Sequence, residues 1–358
     1  MSYLPLLLLA SALWGELEPG PHGVGFEQVE SHDYSRPFRA EGDQRGRPIT
    51  MSIWYPADGP AAEAQPVTFG RYVDGADGRE SFRARLATYG FSLSPLELEA
   101  LVSLETTAIE KAPRAFGPFP LLIFGTGLTG PFYLNTVLCE YLASLGYVVV
   151  AVPSLPARED VEAAYDALAV DAQIRDMELV VQEMHGYPEV SEGRIGLVAW
   201  SLGGVAQALL QMKNPDVGAV VSLDAATGYA YGEKLLESSI FFEPKRSTAA
   251  FLHVTDSRES AQVPKSFRYF DEVLRGRSYL LTIEGATHAE FTSLATIVPL
   301  KIVSRVGAEG ALERYRRLCL YVGRFLEASL KADASAAEFL EDAPTRHGFD
   351  GLVLSRKR

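Results

Sequence analysis

The sequence predicts an α/β protein: a mostly parallel central sheet with helices on both faces and a helical insertion before the third strand. Three observations carry this. From residue 119 onward, short apolar runs alternate with helical patterns, as in a parallel sheet buried on both faces. Ser201, Asp224, Asp256 and His288 each fall just past the end of such a run. Open parallel sheets gather their functional groups at those carboxyl ends. The third observation is Arg194-Ile-Gly-Leu-Val-Ala-Trp-Ser201-Leu-Gly-Gly204. There an apolar run stops at one serine, two glycines follow, and a helical pattern opens at Val205.

The bulk properties bound the answer. The chain has 358 residues, 47% of them hydrophobic, which suffices for a large core in one domain carrying an insertion. A net charge of −13 argues against a nucleic-acid partner, which requires basic surface to displace counterions. The basic end Arg356-Lys-Arg358 is too short to mark a membrane surface. Residues 1–15 read as a candidate signal peptide, with Leu6 to Ala10 apolar and a small-residue site at Ala10-Ser11-Ala12. That predicts export to a periplasmic or extracellular space; without such processing the protein is cytoplasmic. No other stretch is apolar enough to be a membrane span. Residues 16–358 form the single expected domain, with the insertion at about 70–117. Cys139 and Cys319 fall in helical patterns and are too few for a metal cluster. They read as two buried free thiols, with a disulfide as the alternative in an exported protein.

In chain order, Gly25 to His32 alternates and predicts a strand, and Pro48 to Tyr55 predicts its antiparallel partner. Asp33 to Arg47 reads as a polar turn region between them. Ala57 to Pro66 is a loop by composition. Phe82 to about Lys111 turns helical, with leucines at 86, 93, 96, 98, 101 and 104. It is either packing at the rim or a wall of the substrate pocket. Strands follow at Phe119–Phe124, Tyr147–Val152, Arg194–Trp200, Val217–Asp224, Ala249–Asp256 and Ser278–Glu284, the last of the series. Helical patterns span Val161 to Met184 and Leu312 to Lys331. The tail beyond Asp333 reads as a polar surface segment.

The run ending at Ser201 has the outline of a nucleophile elbow: buried strand, tight turn, helix. The turn strains the serine backbone and lifts its Oγ clear of the sheet. The residues two before and two after must be small, because strand and helix nearly touch. Gly203 meets this fully, and Ala199 stands where the usual motif has Gly. Gly125-Thr-Gly-Leu-Thr-Gly130 is literally Gly-x-Gly-x-x-Gly between a strand and a helix. A dinucleotide site would also need an acid at the next strand end, and Val150-Ala-Val-Pro-Ser154 has none. The turn instead suits an oxyanion hole, with the backbone N–H groups of Leu128 and Leu202 as donors.

These residues resemble the α/β-hydrolase superfamily, and within it the platelet-activating-factor acetylhydrolase and dienelactone-hydrolase-like esterases. The resemblance lies in Leu121 to Gly130, Tyr141 to Pro153, Ala199-Trp-Ser-Leu-Gly-Gly204, Ser222-Leu-Asp-Ala225 and Gly285-Ala-Thr-His288, with Gly23 to Phe26 and Ile53 to Pro56 as opening strands. It covers about residues 20–330. Thr126 departs from it, standing where the family commonly has His. The serine nucleophile sets the chain apart from dienelactone hydrolases proper, which use cysteine.

The expectation is therefore a serine hydrolase of carboxylic esters, short-chain acyl or acetyl esters by the resemblance, working through an acyl-enzyme. Ser201 is the nucleophile, His288 the base and Asp224 the favoured acid, with Asp256 as the alternative. The partner is a small-molecule ester, with no cofactor and no metal. Phe132 and Tyr133 offer aromatic walls. His253 reads as core, and His22, His32, His185 and His347 as surface residues. Two rivals remain: a non-catalytic binding member of the fold, and a serine peptidase of the prolyl-oligopeptidase type.

Overall fold

A computed structural model describes residues 13–14, 17–38, 46–59, 65–258, 262–297 and 310–357. The strands are β1 (Gly23–Pro37), β2 (Gly46–Ala57), β3 (Pro66–Thr68), β4 (Glu105–Glu110), β5 (Leu121–Gly125), β6 (Val148–Val152), β7 (Ile195–Trp200), β8 (Val217–Leu223), β9 (Ala250–Asp256), β10 (Ser278–Ile283) and β11 (Leu352–Lys357). They form one sheet in the order β11-β10-β9-β8-β7-β5-β6-β2-β1-β4-β3. The pairs from β6 through β10 are all parallel, and β2 joins β6 antiparallel. The parallel block holds the apolar runs: every residue of β5, β6, β7 and β8 is buried.

Each central strand feeds two cores, because successive side chains point to opposite faces. Leu122 and Phe124 of β5 and Val198 of β7 pack with α4 (Thr136–Ser144) and α9 (Ala311–Leu330). Leu121, Ile123 and Leu197 pack with α5 (Ala167–Met184) and α6 (Gly203–Lys213). Helices thus cover both faces, and the mixed sheet with its helices fits an α/β-hydrolase fold. Among the described residues, no helix is long and apolar enough to cross a membrane.

The insertion is less helical than its leucines suggest. It holds α1 (Phe69–Asp74), α2 (Gly78–Thr88) and α3 (Pro95–Val102), the last opened by a Ser94–Glu97 capping box. Chain 105–110 is instead strand β4, parallel to β1, and β3 pairs with its far side. Thr106, Thr107 and Ile109 are β-branched, a local strand signal that the preceding leucine periodicity masked. Glu140 of α4 pins this region. It is buried, and it accepts from Trp14 Nε1 at 2.9 Å, Tyr72 Oη at 2.7 Å and Thr107 Oγ1 at 2.5 Å. Burial raises its pKa, and these donors compensate part of that cost. Residues 1–12 of the candidate signal lie outside the described residues, and the adjoining Leu13 and Trp14 are buried.

Four further expectations are corrected. The tail beyond Asp333, largely exposed, is more than a surface segment: it forms α10 (Ala334–Glu341) and then β11, the antiparallel edge partner of β10. The helical pattern from Val161 starts as helix only at Ala167, because the Asp166 side chain caps it by accepting from Ala169 N. Arg47 belongs to no turn: it is 1% exposed and holds Asp176 through two bonds, Nε to Oδ1 at 2.7 Å and Nη2 to Oδ2 at 2.8 Å. His22 and His347 pack on rings, His22 edge-on to Phe119 and His347 stacked on Phe339 at 4.0 Å. Cys139 and Cys319 are buried and free.

Candidate active site

The site is built where β7, β8 and β10 end. Strand β7 lies in the middle of the parallel block, and its last residue, Trp200, is followed by Ser201 at φ 59°. A non-glycine residue in this left-handed region is strained, and such strain concentrates at functional sites. Three backbone bonds hold it: Ser201 N–H donates to Leu223 at 3.3 Å, and the Ser201 carbonyl accepts from Ala226 N–H at 2.9 Å and from Gly204 N–H at 3.3 Å. The small-residue requirement is met as the sequence implied. A Cβ on Gly203 would lie 2.6 Å from the carbonyl oxygens of Gly125 and Thr126. Ala199 is tolerated because its neighbour on β5, Gly125, has no Cβ of its own.

Asp224 follows β8, also at positive φ, 40°. It is 1% exposed. Its Oδ2 lies 2.6 Å from His288 Nδ1, while Oδ1 accepts from Tyr229 Oη at 2.7 Å and Thr255 Oγ1 at 3.1 Å. Burial alone would push its pKa up, but the hydrogen bond and charge of His288 and the Tyr229 hydroxyl bring it below the ordinary carboxylate value. Burial and the neighbouring Asp224 push the Tyr229 phenol well up, so it remains a neutral donor.

His288 stands at the start of a short 3₁₀ turn, His288–Phe291, after β10. Trp200 fixes it twice. The indole stacks on the imidazole with centroids 4.7 Å apart at 26°, and its Nε1 donates to the His288 carbonyl at 3.2 Å. In the sequence Trp200 stands only as the last residue of the apolar run, and its stacking on His288 carried no local signal. Within the turn, Glu290 accepts from Arg314 Nε at 2.9 Å and Nη2 at 2.6 Å, which ties this loop to α9.

Ser201, Asp224 and His288 line one cleft of about 510 Å³ with Tyr165, Tyr229, Tyr231, Asp256, Arg258 and Val263. Asp256, the alternative acid, is engaged elsewhere: Lys265 Nζ lies 2.7 Å from Oδ1 and Arg258 Nη2 3.1 Å from Oδ2. Leu202 leads directly into α6. Leu128 sits in the turn closed by Gly130 N–H donating to Gly127 at 2.8 Å. Gly127 abuts the elbow, since a Cβ there would come within 3.1 Å of Ser201 Cβ. Thr126 braces the turn from behind: its hydroxyl accepts from Ser154 N and its carbonyl accepts from Gln173 Nε2 at 2.9 Å.

The cleft walls differ from expectation. Phe132 and Tyr133 are buried in the core against Trp54, Phe69 and Phe82, so they are packing residues. Among the described residues the insertion contributes no lining side chain; it reaches the site through Tyr89, which contacts the Trp200 ring. No group of three or more His, Cys, Asp or Glu among the described residues could hold a metal ion.

His253 lies behind Asp224 in the core. Its Nδ1 is 2.8 Å from Ser222 Oγ, and burial lowers its pKa from 6.5 to about 4. Between these values the unfolded chain binds a proton that the native imidazole refuses. The associated stability is full above pH 6.5 and declines as the pH falls toward 4. Thermal melts from pH 7 to pH 4 are expected to fall more steeply for the parent than for His253→Gln; parallel curves would contradict the assignment.

The fold and this cluster define the class: an α/β sheet protein with a serine, an aspartate and a histidine at the ends of β7, β8 and β10. No family model matches the sequence, and no curated protein matches it. Among solved structures, a ferulic acid esterase from Streptomyces cinnamoneus shares the fold with a TM-score of 0.67 at 20% identity, covering 95% of this chain and 98% of its own.

Proposed function

We propose that the protein is a serine esterase that hydrolyses carboxylic esters through an acyl-enzyme. The observation that carries this is the 2.6 Å contact between His288 Nδ1 and the buried Asp224, in the same cleft as a serine held at φ 59°. An imidazole whose Nδ1 faces a carboxylate keeps Nε2 free to take a proton. Ser201 Oγ attacks the ester carbonyl while its proton passes to His288 Nε2. The tetrahedral oxyanion is stabilised by the N–H groups of Leu202 and Leu128. Collapse breaks the ester C–O bond, and His288 returns the proton to the leaving alkoxide. Water, deprotonated by the same imidazole, then attacks the acyl-enzyme and frees Ser201. Asp224 stays ionised, fixing the ring tautomer and stabilising the imidazolium. The positive charge that forms on His288 also faces the Trp200 ring, a favourable cation–π arrangement.

The esterase that shares the fold supports ester hydrolysis over the peptidase alternative, and the complete set of three side chains disfavours a purely binding role. Pre-steady-state hydrolysis of p-nitrophenyl acetate tests the reading. We expect a burst of about one p-nitrophenolate per enzyme, unaffected by prior EDTA treatment. Turnover without a burst, combined with activity lost to EDTA and restored by zinc, would contradict it.

A further inference from the structure

We propose that the cleft selects esters carrying an aromatic ring near the scissile bond, and that Tyr165 and Tyr231 form the shelf on which that ring lies. This rests on the serine esterase reading and goes beyond it by naming the substrate class. Three of the nine described lining residues are tyrosines, and they form a connected series. Tyr229 is anchored by its hydroxyl to Asp224, beside the acid–base pair. Tyr231 stacks on it with centroids 5.9 Å apart at 25°. Tyr165 then meets Tyr231 edge to face, at 5.9 Å and 85°. The rings thus run outward from Asp224 to the cleft mouth.

Tyr165 is 56% exposed, although it is a large aromatic side chain held against another. It sits on the loop between β6 and α5, one residue before the Asp166 cap, so its backbone is fixed by the helix start. Among the described residues Val263 is the one aliphatic side chain that lines the cleft, against three tyrosines. A planar ring would continue the existing stack, gaining the offset or edge-to-face geometry that aromatic pairs favour beyond area burial. The cleft volume of about 510 Å³ accommodates a ring and an ester group.

Two matched pairs of esters test this, each differing only in whether the six-membered carbocycle is aromatic. One pair is methyl 3-phenylpropanoate and methyl 3-cyclohexylpropanoate; the other is 2-phenylethyl acetate and 2-cyclohexylethyl acetate. Vinyl acetate, with no ring, is the reference ester. In the parent enzyme, kcat/KM is expected to favour the aromatic member of at least one pair by about tenfold. Tyr165→Leu and Tyr231→Leu should each reduce that ratio by about threefold, and the double variant should bring it near unity. A parent ratio near unity in both pairs, or a ratio that survives the double variant, would overturn the shelf while vinyl acetate turnover kept the esterase reading intact. If no ester is hydrolysed and no burst is seen, the esterase reading falls, and the shelf with it. Circular dichroism melts establish that the variants are folded, and Tyr165→Leu alters an exposed position.

Discussion

Ser201→Ala is expected to lower kcat for ester hydrolysis on the order of 10⁶-fold, the scale at which a nucleophile is lost from a complete triad. The variant should remain folded, since the hydroxyl faces the cleft and the elbow is held by backbone bonds to Leu223 and Ala226. A companion variant separates chemistry from structure. At φ 59° an alanine keeps the backbone strain of the serine, whereas glycine relieves it. Ser201→Gly should therefore be inactive yet more stable than Ser201→Ala, by about 1 kcal/mol. Parallel activity assays and thermal melts check both. Retained turnover in Ser201→Ala would remove the serine from the chemistry.

The second large effect is expected at Asp224. Asp224→Asn preserves shape but presents His288 Nδ1 with a group that favours the wrong tautomer, a change that costs serine proteases about 10⁴-fold in kcat. The matching change Asp256→Asn should stay within about tenfold, since the Asp256 carboxylate is held by Lys265 and Arg258 rather than by the imidazole. Both carboxylates line the same cleft, which makes Asp256→Asn a stringent control. A larger loss at Asp256 than at Asp224 would transfer the acid role to Asp256 and break the account of the buried contact to His288.

The parallel block was legible because its physics is local. Buried parallel strands must be continuously apolar, and helices between them must be amphipathic, so β5 to β10 stand out as runs. The elbow was legible for a similar reason: a close strand–helix approach forces small residues into neighbouring positions, and a Cβ on Gly203 would clash at 2.6 Å with the carbonyl oxygens of Gly125 and Thr126. Strands β4, one place in from the sheet's edge, and β11, at its opposite edge, were not legible, because each is covered on less of its surface and lacks a continuous apolar run. Thr106 and Thr107 were overwritten by the leucines before them. Arg47 was read as polar loop because the carboxylate that holds it, Asp176, sits on a helix far away in sequence.

The site divides in the same way. Each of Ser201, Asp224 and His288 could be placed at a strand end from its own neighbours. Their convergence depends on β8 and β10 lying on the same side of β7 in the sheet order, which no local pattern encodes. The cleft walls were the least legible part. Tyr165, Tyr231 and Val263 come from three separate connections, and their contact is a product of the assembled sheet. Phe132 and Tyr133 looked equally suited to a wall, yet the insertion packs over them and closes them into the core.

The central claim is that Ser201 is a nucleophile activated by the His288–Asp224 pair, and fluorophosphonate labelling followed by peptide mass mapping tests it most directly. The account predicts one adduct per chain on the peptide containing Ser201, absent from Ser201→Ala and formed far more slowly in Asp224→Asn. An adduct on another residue, or an equal rate of labelling in Asp224→Asn, would contradict it.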